Sequence, residues 1–287
     1  AVFAGAAVVG KAHNPLIFVR RFAVRNKAAP ELLVHVVGTM ERLLEGNVSY
    51  AQEYEDIVLF RFLHPVAKGF YIDVGCNDPE YLSVTKFFYD RGWSGINIDP
   101  LQEEIDKYAS SRERDDNHCL AISDYEGEMD LYGDGVGATL DLDAARSSDF
   151  LHSCVRVPVT RLATLLARSE VPPDIHFLKI DVEKHEREVL AGMDFVRYRP
   201  WVIVLESAFP GTYIPCHEEW EHILLENRYV LLSAHGINRY YCPEERYGEL
   251  VRNCLAAPVG ACMTAEQSQA LTVGQYLLLN NRAVLKT

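Results

Sequence analysis

The sequence predicts an α/β fold: a mostly parallel sheet with helices on both faces, closed near its C-terminal end by an antiparallel hairpin. Three observations carry this. Short apolar, β-rich runs recur along the chain and alternate with helical stretches, at Phe70–Asp73, Ser94–Asp99, Asn117–Ile122, Ile175–Asp181 and Trp201–Leu205. Runs of that kind are how strands buried on both faces read. Each run stops at an acidic or polar residue: Asp73, Asp99, Ser123-Asp124, Asp181 and Glu206. Parallel strands present their carboxyl ends to a ligand crevice, so these residues are expected on one rim. The last two runs, YVLLSA and INRYYC, flank His235-Gly236 and read as a hairpin.

The elements follow in chain order. Residues 1–48 read as a helical extension, with an apolar face from Leu32 to Leu44 after Pro30, a stop at Gly46-Asn47, and basic residues at Arg20, Arg21, Arg25 and Lys27. The first residues, AVFAGAAVVGK, lack a basic leader and an initiator Met and read as a trimmed start or a cut from a longer chain. Ser49 with Gln52 reads as a capping box opening a helix through about Leu63. After the first strand comes a helix over 82–91, after the second a helix over 101–111. Residues 125–150 carry spaced glycines and suggest a hairpin and a mobile loop. A helix over Thr160–Arg168 precedes the Pro172-Pro173 break, and another over about His217–Asn227 precedes the hairpin. The sheet domain is set at 49–245, with a C-terminal extension over 246–287 that includes an apolar run, Tyr276–Leu279.

Composition narrows the function. A chain of 287 residues with a formal net charge of −13 is poorly suited to a nucleic-acid backbone or an anionic membrane. Seven cysteines, an odd number with no C-x-x-C pair, form neither a disulfide framework nor a zinc module, and suit reduced thiols in a cytoplasmic protein. No apolar run reaches the roughly 18 residues of a membrane span. Assembly as a homo-oligomer stays open.

The candidate site centres on FYIDVGCNDPE, residues 70–80. Gly75 is the only glycine of this turn, so the G-x-G-x-x-G pattern that cradles a pyrophosphate is missing. A cationic, phosphate-free ligand would tolerate Asp73 and Asp78 beside it, and S-adenosylmethionine (SAM) is such a ligand. Asp99 ends the second strand 24 residues after Gly75, close to where doubly wound folds grip a ribose diol. Lys179 and Asp181 share one strand face, and a lysine there needs a carboxylate partner.

Several ordered segments together resemble the FkbM family of SAM-dependent methyltransferases: AQEYED (51–56), FYIDVGCNDPEYLSVTKFFYDRGWSGINIDP (70–100), LKIDVEKHEREVLAG (178–192), WVIVLES (201–207) and HGINRYYC (235–242). The chain departs from that pattern at Cys76, where alanine is common, at Asp78-Pro79, and at Lys184, where glycine is common. The resemblance implies a class I, Rossmann-like methyltransferase sheet of seven strands and transfer of a methyl group from SAM to a hydroxyl of a sugar, glycan or related small metabolite. It implies cofactor contacts at Asp73, Gly75, Asn77, Asp99, Pro100, Ser123, Asp124, Asp181, Val182 and Glu183. Asp73 would orient the methionine part, Asp99 hold the ribose, and Ser123 and Asp124 lie near the adenine.

Proton removal is assigned to His185, whose ordinary pKa suits a base. Asp181 and Glu206 end adjacent strands, and a divalent cation such as Mg²⁺ shared with the acceptor is compatible with them. The acceptor is expected against Tyr213, His217, Asn238 and Arg239. Two other classes remain on the sequence: a nicotinamide oxidoreductase, opposed by the missing glycines and the hairpin, and a catalytically silent binding module of a larger glycan-processing protein.

Overall fold

A computed structural model of the protein describes residues 49–257, apart from 134, 136 and 149–152. The helix and basic cluster expected before residue 48 and the apolar run Tyr276–Leu279 lie outside those residues.

The strands are β1 (Phe70–Val74), β2 (Ser94–Asp99), β3 (Asp116–Cys119), β4 (Ala121–Ser123), β5 (Gly127–Tyr132), β6 (Cys154–Arg161), β7 (Phe177–Ile180), β8 (Val202–Glu206), β9 (Tyr229–His235) and β10 (Asn238–Pro243). Seven of them form one sheet in the order β3-β2-β1-β7-β8-β10-β9. All pairs are parallel except β8–β10 and β10–β9. This is the expected α/β sheet with its antiparallel closing hairpin.

The helices are α1 (Glu55–Leu63), α2 (Lys86–Tyr89), α3 (Gln102–Ser111), α4 (Leu142–Ser148), α5 (Leu162–Leu166), α6 (Glu186–Ala191), α7 (Glu221–Glu226) and α8 (Tyr247–Ala256). The pleat divides the core in two. Ile72, Val74, Leu178, Ile180, Ile203 and Leu205 pack with α5, α6 and α7. Their strand neighbours Tyr71, Phe177, Val202 and Val204 pack on the other face with α1, α2 and α8. Full burial of a Leu, Ile or Phe side chain contributes about 1.5–3 kcal/mol each. Asn253 of α8 donates to the Phe62 carbonyl at 3.0 Å, and its own carbonyl lies 3.0 Å from His64 Nε2, so α8 is fastened to the end of α1.

Four elements differ from the sequence expectation. The run Asn117–Ile122 is not one strand. Leu120 N still donates to the Asp99 carbonyl at 3.1 Å, and then the chain leaves the main sheet; Ala121–Ser123 pair with Val159–Arg161 in a second sheet of order β4-β6-β5. Asp124 therefore does not end a strand of the main sheet. The helix expected over 82–91 shrinks to α2: Leu82 is left-handed (φ 56°), the Ser83 hydroxyl accepts from the Lys86 amide at the start of α2, and the Thr85 hydroxyl donates to Asp73 of β1. The helix expected over Thr160–Arg168 gives its first two residues to β6. The capping box at Ser49 is absent: Tyr54 takes φ 62°, α1 starts at Glu55, and Asp56 receives the Ser49 hydroxyl at 2.7 Å and the Tyr50 amide at 2.8 Å.

Candidate active site

β1 and β2 end side by side, and a cleft opens beyond them. Val74, Gly75, Asn77, Asp99 and Pro100 form one wall; Ile122, Leu131 and Leu140 from the second sheet and its loop form the facing wall; Asp181, Val182 and Glu183 close one end. Gly75 is required here twice over. Its φ is +76°, and a Cβ would sit 1.9 Å from the Asp181 carbonyl oxygen. The turn is pinned below, where the Gly75 and Cys76 amides donate to the Ile98 carbonyl at 2.9 and 3.1 Å.

Asp99 is buried, and each carboxylate oxygen takes one backbone N–H, from Asn77 at 3.0 Å and Leu101 at 2.9 Å. Burial nevertheless raises its pKa to about 6, the two amides only partly offsetting this. Asp73 lies beneath the cleft rather than in it. It is 1% exposed and meets Lys179 Nζ at 3.3 Å and the Thr85 hydroxyl at 3.2 Å. Lys179 also donates to the Gly75 carbonyl at 2.6 Å and approaches Asp181 at 3.4 Å. Burial alone would lower the lysine pKa; the Asp73 and Asp181 carboxylates outweigh it and raise it. Lys179 is thus a fixed cation that ties the turn after β1 to β7.

At the closed end of the cleft, Asp181, Glu183 and Glu206 each bring a carboxylate oxygen within 4.8 Å of the others. The parity of the pleat explains why Asp181 and Glu206 face the same way; Glu183, at φ 50°, joins them from the turn after β7. Asp73 pairs with Lys179, Lys179 with Val204, and Glu206 with Asn238, so these positions share one face. Burial, then repulsion from Asp181, raises the pKa of both Glu183 and Glu206, and Glu206 shares a hydrogen bond with Asp181. Glu186 is fully buried and pushed up to about 7, although the Val182 and Lys184 amides point at it.

The other candidates fall in different places. His185 begins α6, 6% exposed, with Nε2 3.1 Å from the Ser123 hydroxyl and Nδ1 3.7 Å from Glu188. Burial lowers its pKa. Ser123, Asp124 and His185 stand together outside the cleft lining, and the Asp124 carbonyl accepts from Arg161 at 2.6 Å. Tyr213 is exposed with its hydroxyl bonded to Glu53. His217 is buried at a 3₁₀ turn, His217–Glu219. Asn238 donates to Glu55 at 2.8 Å. Arg239 points to the opposite sheet face, where it pairs with Glu221 at 3.2 Å.

Sequence reasoning missed the facing wall. Leu131, Ala138 and Leu140 line the cleft, and Thr139 hydroxyl donates to the Glu183 carbonyl at 2.5 Å. The glycines at 133, 135 and 137 marked a loop there but gave it no role.

This strand order, with its antiparallel end and a cleft at the β1 and β2 carboxyl ends, defines a class I methyltransferase-like fold. Residues 73–231, more than half of the chain, match the model of the methyltransferase FkbM domain, and the chain belongs to that family. It is accordingly a SAM-dependent methyltransferase by family. No curated protein compared with the chain matches it. The residues fit the cofactor: a nucleoside suits the apolar facing wall and the Asp99 carboxylate, a sulfonium suits the carboxylates at the closed end, and the single-glycine turn has no nest for a diphosphate.

Proposed function

We propose that the protein is an O-methyltransferase acting on a hydroxyl of a sugar, glycan or related small metabolite. The observation that carries this reading is the carboxylate row Asp181–Glu183–Glu206, set where the SAM cleft ends. SAM supplies a methyl group made electrophilic by its sulfonium. The protein must orient the acceptor and take its proton.

Asp99 holds the ribose diol, and Gly75 lets the backbone approach the methionine part. Lys179 offsets part of the burial penalty on the Asp73 carboxylate and fixes the Gly75 carbonyl. Proton acceptance falls best to Glu183, whose pKa is raised towards neutrality, while Glu206, raised further, holds the proton it shares with Asp181. His185, neutral and bonded to Ser123, is better placed to brace α6 behind them. Tyr213 and Asn238 bound the acceptor side, while His217 and Arg239 are engaged in packing around it.

A second reading is favoured by the same three carboxylates: a divalent cation bound there would replace the shared proton and polarise the acceptor hydroxyl. The test is S-adenosylhomocysteine formation over a panel of free sugars and glycosides, after EDTA dialysis, with and without Mg²⁺. Transfer to a hydroxyl supports the proposal; SAM binding with no transfer to any acceptor favours the silent binding module. Unchanged rates after EDTA exclude the cation.

A further inference from the structure

Glu183 and Lys184 follow one another in the left-handed region, at φ 50° and 84°. Neither is glycine, and a side chain in that region costs on the order of 1 kcal/mol or more. Glu183 lines the cleft. Lys184 turns the other way, with its side chain 12% exposed. Its ammonium pairs with Glu219 and lies 4.4 Å from the centroid of the Phe209 ring.

Phe209 lies within the segment that leaves β8 directly after Glu206, and Glu219 ends the 3₁₀ turn that follows it. Residues 208–215 form a small flap. Ala208 bridges Pro215, Phe209 N donates to the Ile214 carbonyl at 2.9 Å, and Cys216 N donates to the Ser207 carbonyl at 2.8 Å. Core packing does not hold the flap, because Phe209, Tyr213 and Ile214 are 37%, 53% and 61% exposed. Its side-chain anchors are polar: the Tyr213 hydroxyl on Glu53, and Phe209 under Lys184.

We propose that Lys184 is a positioning residue that straps the 208–215 flap beside Glu206 and so sets the acceptor edge of the site. Thr139 on the Glu183 carbonyl and Glu186 on the Lys184 amide hold the left-handed turn, and a long cation carried on it reaches both Phe209 and Glu219. This rests on the methyltransferase reading of the site, but its test does not.

Hydrogen exchange of the free protein is read over peptide 207–216, which contains the bonded amides of Phe209, Thr212, Ile214 and Cys216. Lys184→Gly removes both strap and strain, and is expected to speed exchange there about threefold to tenfold while the melting temperature holds or rises. Lys184→Met removes the cation and keeps the strain, so exchange rises with no gain in melting temperature. Lys184→Arg keeps wild-type protection. Unchanged exchange in the Gly and Met variants overturns the proposal, as does faster exchange spread over the whole chain or equal loosening in the Arg variant. Lys184-dependent protection in a protein that transfers no methyl group would sink the transferase reading and leave the strap standing.

Discussion

Carboxylates stand at the ends of β1 and β2 and again at the ends of β7 and β8, but the two groups are held differently. Asp73 is met by Lys179 and Thr85, and Asp99 by the amides of Asn77 and Leu101. Among the described residues, Lys179 is the one cation that pairs with any of Asp181, Glu183 and Glu206, and it meets Asp181 at 3.4 Å. The first region is completed by its own chain and can hold a shape without ligand. The second carries excess negative charge that only a proton, a cation or a ligand's hydroxyls can relieve. On the proposed reading, cofactor recognition is built in as rigid geometry, whereas acceptor chemistry is built in as unrelieved electrostatics.

The sharpest way to break this contrast is Gly75→Ala. A Cβ 1.9 Å from a backbone oxygen at φ +76° cannot be relieved by a side-chain shift. The expected outcome is no detectable S-adenosylhomocysteine binding by calorimetry and a loss of about 3 kcal/mol or more in denaturant unfolding. Near-normal binding would mean that the cofactor end is not rigid. Glu183→Gln should act in the opposite sense on the two properties. Transfer falls about 100-fold with loss of the proton acceptor, while relief of repulsion stabilises the fold by about 1 kcal/mol. A variant that lost both activity and stability would show Glu183 to be structural.

Asp99→Asn sharpens the comparison from the other side. S-adenosylhomocysteine affinity should drop about tenfold to thirtyfold, with little change in acceptor KM, since one of two charge-assisted contacts is weakened. The smallest effect concerns pH. Asp56 and Asp99 are raised from 3.8 to about 6, and Glu55 and Glu186 from 4.5 to about 7, in each case chiefly by burial. The folded state then binds protons more tightly than the unfolded one. Their stabilising contribution is full below about pH 4 and is lost as pH rises through about 6 to 7. Melting temperature of the ligand-free protein, measured at constant ionic strength, should fall from pH 5 to pH 8. A flat or rising profile would contradict this.

The sheet was legible because a strand buried on both faces must be apolar along its length and must stop where the rim begins; FYID, SGINID and WVIVLE show this directly. The closing hairpin was legible for a similar local reason, its turn falling at Gly236 with φ 58°. The division of NHCLAI into β3 and β4 was not, because it depends on pairing with Val159–Arg161, nearly forty residues on. The same distance hid the cleft's facing wall. Within the site, Asp99, Gly75 and Asp181 could be placed from strand ends alone. The contact between His185 and Ser123 could not, since it depends on how α6 packs against β4. The left-handed pair Glu183-Lys184 was hidden for a further reason: propensity opposes that backbone, and the bonds that hold it come from Thr139, far off in sequence, and from the Glu186 carboxylate.

Because Asp73, Lys179, Glu206 and Asn238 align through strict alternation, β7 cannot gain or lose a single residue without consequence. Such a change would turn Leu178 or Ile180 to the charged row and drive the ammonium into oil. Viable length changes ahead of the rim should come in pairs of residues, or else fall in the loop before His176, where no such parity is enforced.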